Sequence, residues 1–128
     1  MKPPPRTWLG KFYDAFRGLS VAVRTQSSFG PHLTTAAVAI GVAIWLGCSA
    51  TEWCMVTLGI GLVLMAEVFN TSIEAMAKTF NRYPDDNLRD ALDIASGGVF
   101  MAVLTAVVLG VIVFGPKLWA MAGLTCPP

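Results

Sequence analysis

Charge is scarce in this sequence. Only 13% of its 128 residues are Asp, Glu, Lys or Arg, about half the share in a soluble domain. The few charges are also segregated, and long stretches carry none. Together with 55% hydrophobic residues, this excludes an ordinary soluble domain and describes an integral membrane protein. The length leaves room for one domain. A net charge of +1 provides no basic surface for nucleic acid, and none is expected as a partner. The three cysteines, Cys48, Cys54 and Cys126, lack metal-ligand spacing; Cys48 and Cys54 flank a short loop that allows a disulfide without requiring one. The first residues lack the apolar run of a cleavable signal peptide, so none is expected. There is no Gly-x4-Gly-Lys-Ser/Thr loop, so any nucleotide site must be built another way.

What is present divides into four stretches. Residues 1–7, rich in proline, read as a loose tail. Over residues 8–25, Trp8, Leu9, Phe12, Phe16, Leu19 and Val23 share one face, and Lys11, Asp14, Arg17 and Arg24 the other. That pattern predicts an amphipathic helix lying in a membrane interface. Ser27, Ser28, Gly30 and Pro31 then mark a turn. His32 beyond it reads as an interfacial hydrogen-bonder rather than a ligand.

Three spans are expected, over 30–49, 52–80 and 91–115. The first is rich in small residues that permit close helix contact. The second is longer than a bilayer needs, because no breaker interrupts Val56 to Phe80. A polar loop over 81–90 precedes the third, which Gly115-Pro116 should stop. Eight of the nine basic residues fall before the first span, in the last turn of the second (Lys78) or between the second and third. The N-terminus and the 81–90 loop should therefore be cytoplasmic and the C-terminus outside.

The second span carries an unusual stripe. Glu67, Asn70, Glu74 and Lys78 fall along one helix face. Glu74 and Lys78 taken alone are explained by an i,i+4 pair on a solvated end. Glu67 is not, since it lies deeper, beside Met65 and Ala66, where an ionisable group is costly and marks a functional site. The two carboxylates are about 10 Å apart along the axis. They are too distant to share a proton, but well placed for separate tasks: one by a lipid hydroxyl as general base, the other by a phosphate or its magnesium.

Glu67-x-x-Asn70-Thr71-x-Ile73-Glu74, followed by Asp93 in Ala91-Leu92-Asp93-Ile94-Ala95-Ser96-Gly97, resembles the prokaryotic diacylglycerol kinase and undecaprenol kinase family. Gly18-Leu19, Ser28-Phe29 and His32-Leu33 fit it too. The resemblance implies an all-α membrane protein with three spans and an N-terminal surface helix, assembled as a homotrimer in the cytoplasmic membrane of a prokaryote. It implies transfer of the γ-phosphate of MgATP to a lipid alcohol, in sites shared between subunits. By position, Glu67 would be the general base and Glu74 a metal ligand near the nucleotide. Asn70 and Ser96 would line the reaction site, and Asp93 would belong to the nucleotide region.

Three positions depart from the family's pattern. Gln26 stands where a second metal-binding glutamate is usual, Leu92 where a phosphate-binding lysine is, and Lys78 where an aspartate is. Compensation would have Gln26 bind magnesium through a neutral oxygen, with Lys78 or Arg89 replacing the missing phosphate partner. The alternative is a non-catalytic or weakly active member serving as a membrane scaffold or regulator. A proton or ion pathway is a weaker third reading, because the outer halves of the spans carry no polar continuation. Diacylglycerol and undecaprenol both remain open as the lipid alcohol, with Pro31-His32-Leu33 and Pro116-Lys117-Leu118 leaning toward undecaprenol.

Overall fold

A computed structural model describes residues 7–80 and 86–123; the loop and tail expectations that fall on 1–6, 81–85 and 124–128, Arg82 and Cys126 included, lie outside them. 

The described residues form four helices and no strand: α1 Trp8–Thr25, α2 Phe29–Trp45, α3 Ala50–Phe80 and α4 Asp86–Met121. α3 (Ala50–Thr79) and α4 are each long and apolar enough to cross a bilayer, and a third span is present if the bent pair α1–α2 counts as one.

α1 is capped by Thr7, whose Oγ1 accepts from the Gly10 N–H at 3.3 Å. Its apolar and basic residues lie on opposite faces, as the sequence predicts. It ends at Gln26, where the backbone turns extended. The chain bends by 103° into α2, so α1 can lie along a surface that α2 enters. α2 stops at Trp45, four residues short of the expected 49. The cause is Gly47, which takes a left-handed backbone (φ +60°). The Gly47 and Cys48 N–H groups then close back on the Ile44 and Ala43 carbonyls, each at 3.1 Å.

Ser49 and Glu52 start α3 as a reciprocal cap. The Ser49 N–H donates to Glu52 Oε2 at 2.6 Å, and the Glu52 N–H donates to Ser49 Oγ at 3.4 Å. Cys48 and Cys54 are free thiols, so the disulfide that their spacing allows is not formed. With 31 residues, α3 is about 46 Å long. That exceeds a hydrocarbon core of about 30 Å, which leaves its last turns for a polar interface.

The expected stop at Gly115-Pro116 is not observed: α4 runs from Asp86 through Pro116 to Met121. Proline removes one backbone donor, the one that would reach the Ile112 carbonyl, but neighbouring interactions can carry a helix across that gap. Here Lys117 Nζ lies 3.2 Å from Glu52 Oε2 and holds the segment beyond the proline against the start of α3.

Packing is tightest where side chains are smallest. Ala43, Val56 and Val113 form a buried cluster joining α2, α3 and α4. A Cβ placed on Gly59 would sit 3.5 Å from both Cα and Cβ of Ala106, an ordinary contact with no slack beyond it. Gly59→Ala is therefore expected to be near neutral. Gly59→Leu should cost about 1–3 kcal/mol by overpacking the α3–α4 seam, read as a lowered unfolding temperature in detergent. Many large apolar side chains remain exposed, Phe100, Val111 and Trp119 among them, as expected of helices that face lipid or other subunits.

Candidate active site

α3 presents Glu67, Asn70, Thr71 and Glu74 toward the corner between α1 and α2. Glu67 is 2% exposed, and Asn70 and Thr71 are also buried. Gln26 and Ser28 stand on the corner itself, and His32 on the first turn of α2. Ser28 Oγ donates to Glu67 Oε1. His32 Nε2 lies 3.8 Å from Glu67 Oε2. Gln26 Nε2 donates to Glu74 Oε2, and Asn70 Nδ2 donates to Glu74 Oε1 at 2.9 Å. Each carboxylate is thus gripped by a polar side chain from the corner.

Two buried oxygens have no partner, Asn70 Oδ1 and Thr71 Oγ1. A buried polar atom left unpaired is costly, and both lie on the α3 face that carries Glu67 and Glu74. Beside this constellation an apolar cleft of about 400 Å³ runs between α2, α3 and α4. Ala36, Ala39, Val63 and Val107 are among its walls, and His32 is its titratable lining residue. Ligand pockets commonly hold about 300–1,000 Å³.

The remaining sequence candidates stand apart. The i,i+4 pair of Glu74 with Lys78 is not formed, because Gln26 and Asn70 take the carboxylate. Lys78 and Leu92 instead line a depression beside Glu74 and Ala77. Asp93 and Ser96 are exposed on α4. The Ser96 hydroxyl donates back to the Leu92 carbonyl at 3.0 Å. Arg89 lies 3.9 Å from Asp86 on the same helix, with both side chains exposed. Within one chain, then, Gln26, Glu67, Asn70 and Glu74 come together, while Ser96, Asp93 and Arg89 remain outside the cluster. Ser28 and Thr71 enter the sequence reading only as part of a turn and of the motif, with no role assigned, and His32 sits beside a carboxylate rather than simply at an interface.

The donor set suits a magnesium ion carried on phosphates. Glu74 supplies a carboxylate, and Gln26 offers an amide oxygen once its side chain turns over. Magnesium takes few protein oxygens when phosphates and waters supply the rest. Among the described residues no group of three His, Cys, Asp or Glu could hold a metal ion by itself.

A sequence profile of prokaryotic diacylglycerol kinase matches residues 13–114. The chain belongs to this family. The undecaprenol kinase of Bacillus subtilis is 27% identical over 117 residues, which cover 88% of this chain and 95% of that one. The diacylglycerol kinase of Synechocystis is 30% identical over 114 residues, covering 88% of this chain and 65% of that one. The diacylglycerol kinase of Escherichia coli K12 is 25% identical over 94 residues, covering 73% and 77%. The diacylglycerol kinase family is one of lipid kinases, and the matched segment takes in the whole constellation from Gln26 to Glu74.

Proposed function

We propose that the protein transfers the γ-phosphate of ATP to the hydroxyl of a membrane lipid alcohol, diacylglycerol or undecaprenol, at the cytoplasmic interface. The observation that carries this reading is Glu67, a buried carboxylate held by Ser28 and lying 3.8 Å from His32, which lines the apolar cleft. The lipid chain would lie in the cleft, with its hydroxyl against Glu67. The hydroxyl proton passes to the carboxylate as the oxygen attacks the γ-phosphorus. The bond from that phosphorus to the bridging oxygen breaks, and ADP leaves. Phosphoryl transfer asks for positioning and charge neutralisation more than covalent help.

Magnesium supplies neutralisation of phosphate charge when bound, and Glu74 with Gln26 would hold it. Asn70 Oδ1 is free to meet the substrate. Leu92 brings no charge to the depression beside Glu74, whereas Lys78 does, and Lys78 is the proposed phosphate partner there. Lys78→Met should raise the ATP concentration for half-maximal rate about tenfold or more, with little change in that for lipid. An unchanged ATP requirement would remove Lys78 from the site.

Asp93, Ser96 and Arg89 enter this reading through assembly. Their exposure on α4, together with that of many large apolar side chains, supports a homotrimer in which a neighbouring subunit completes each site. Placing the N-terminus in the cytoplasm brings the corner, Glu74 and the basic residues of α1 to the side where ATP is found.

The test is radiolabelled ATP with the full-length protein in mixed micelles, offered dioleoylglycerol, undecaprenol and ceramide in turn. Magnesium-dependent label in one lipid class is expected. No label in any of them, with no nucleotide binding by calorimetry, would favour a non-catalytic membrane scaffold instead.

A further inference from the structure

Glu67 faces a difficulty that its burial creates. A carboxylate that takes a proton in each turnover must lose it before the next. Its side chain is only 3% exposed, so water has little access to it, whereas that of His32 is 23% exposed. We propose that His32 is the proton exit of Glu67 and that Ser28 is the residue that positions the carboxylate between them. The proposal rests on the reading of Glu67 as the base.

The geometry divides the two roles by oxygen. Ser28 Oγ holds Oε1, which fixes the carboxylate plane and leaves Oε2 facing His32 Nε2 at 3.8 Å. That distance is beyond a hydrogen bond, but catalytic hydrogen bonds in a free enzyme often tighten only when substrate is bound. The proton taken from the lipid hydroxyl on Oε2 passes to Nε2 of the neutral imidazole. The Nδ1–H of the resulting imidazolium gives a proton to water, and Glu67 returns to carboxylate. The ring, left with its proton on Nε2, exchanges through water back to the Nδ1–H tautomer before the next turnover, so no reactant besides water is needed. Histidine suits the task because either ring nitrogen can take up or give a proton.

Charged competitors are few around the ring. α3 faces it with Glu67. The α2 and α4 residues that share the cleft with it, such as Thr35, Val103 and Val107, carry no charge. On the corner, Gln26 and Ser28 are neutral, and Glu74 is engaged by Gln26 and Asn70.

A proton exit leaves a kinetic signature that a purely structural side chain does not. In rapid-quench experiments on the full-length protein in mixed micelles, His32→Gln should phosphorylate one lipid per site at close to the native rate and then slow. Its steady rate should fall about 10²-fold. The matching variant His32→Ala should regain steady turnover as imidazole is added to the buffer, with no effect of imidazole on the native protein. Ser28→Ala should slow the first turnover itself about tenfold, and Ser28→Thr should restore it. A first turnover slowed as much as the later ones in both His32 variants, or an unchanged steady rate, would overturn the proton exit. Glu67→Gln separates this from failure of the underlying reading: it should show no first turnover at all, and if it does show one, the base has been misassigned whatever His32 does.

Discussion

Glu67→Gln should yield a folded membrane protein that does not phosphorylate lipid. The amide keeps the volume of the carboxylate and an oxygen for the Ser28 hydroxyl, so packing at the corner survives. What it loses is the ability to take a proton. General-base catalysis is worth about 10²–10⁴-fold, and the lipid-phosphorylation rate should drop by that much. ATP affinity by calorimetry and the unfolding temperature in detergent should both stay near native. Glu67→Ala is the contrasting variant. It empties a buried position and removes the acceptor of the exposed Ser28 hydroxyl, so the unfolding temperature in detergent should fall below that of Glu67→Gln. If Glu67→Gln keeps more than a tenth of native turnover, the carboxylate is not the base.

The second large effect is expected at Glu74. This side chain accepts from Gln26 and from Asn70, so Glu74→Ala leaves two amide donors unpaired and removes the carboxylate proposed for magnesium. Turnover should fall about 10²–10³-fold, the range seen when one preorganised electrostatic group is lost. The magnesium concentration for half-maximal rate should rise with it. Gln26→Glu should move that requirement the other way, because a second carboxylate attracts the cation more strongly than an amide oxygen does. A magnesium titration of the two variants beside the native protein checks both signs. Loss of activity in Glu74→Ala with an unchanged magnesium requirement would leave Glu74 a structural anchor.

The stripe that these variants test was legible because it lies on one helix. Glu67, Asn70 and Glu74 follow the helical period, and no breaker interrupts α3, so sequence alone put them on one face. Of their partners, Gln26 was singled out only through the family resemblance, and Ser28 was given no role. Ser28 and Gln26 are 39 and 48 residues away from Glu67 and Glu74, and no local pattern records which face of α3 the corner meets. The plain i,i+4 pair of Glu74 with Lys78 does not form, because the amides of Gln26 on the corner and of Asn70 take the carboxylate. Pro116 shows propensity yielding to tertiary contact, since Lys117 and Glu52 hold the helix beyond a residue that usually ends one. Gly47, by contrast, ended α2 earlier than hydropathy implied, because backbone handedness outweighed a still-apolar sequence. Ser96 and Asp93 stand exposed outside the cluster within one chain, and the proposed homotrimer is what would bring them to a site.

Glu52 serves two helices at once, capping the first turn of α3 and gripping Lys117 near the end of α4. At that end, with Ala43 of α2 packed on Val56 and Val113, the three long helices are clamped together. At the opposite end the corner is latched by its hydrogen bonds to Glu67 and Glu74. The two acidic side chains to which the proposed chemistry assigns the proton and the phosphate therefore also tie the surface helix to the membrane spans, so a substitution at either one tests an anchor as well as a reacting group.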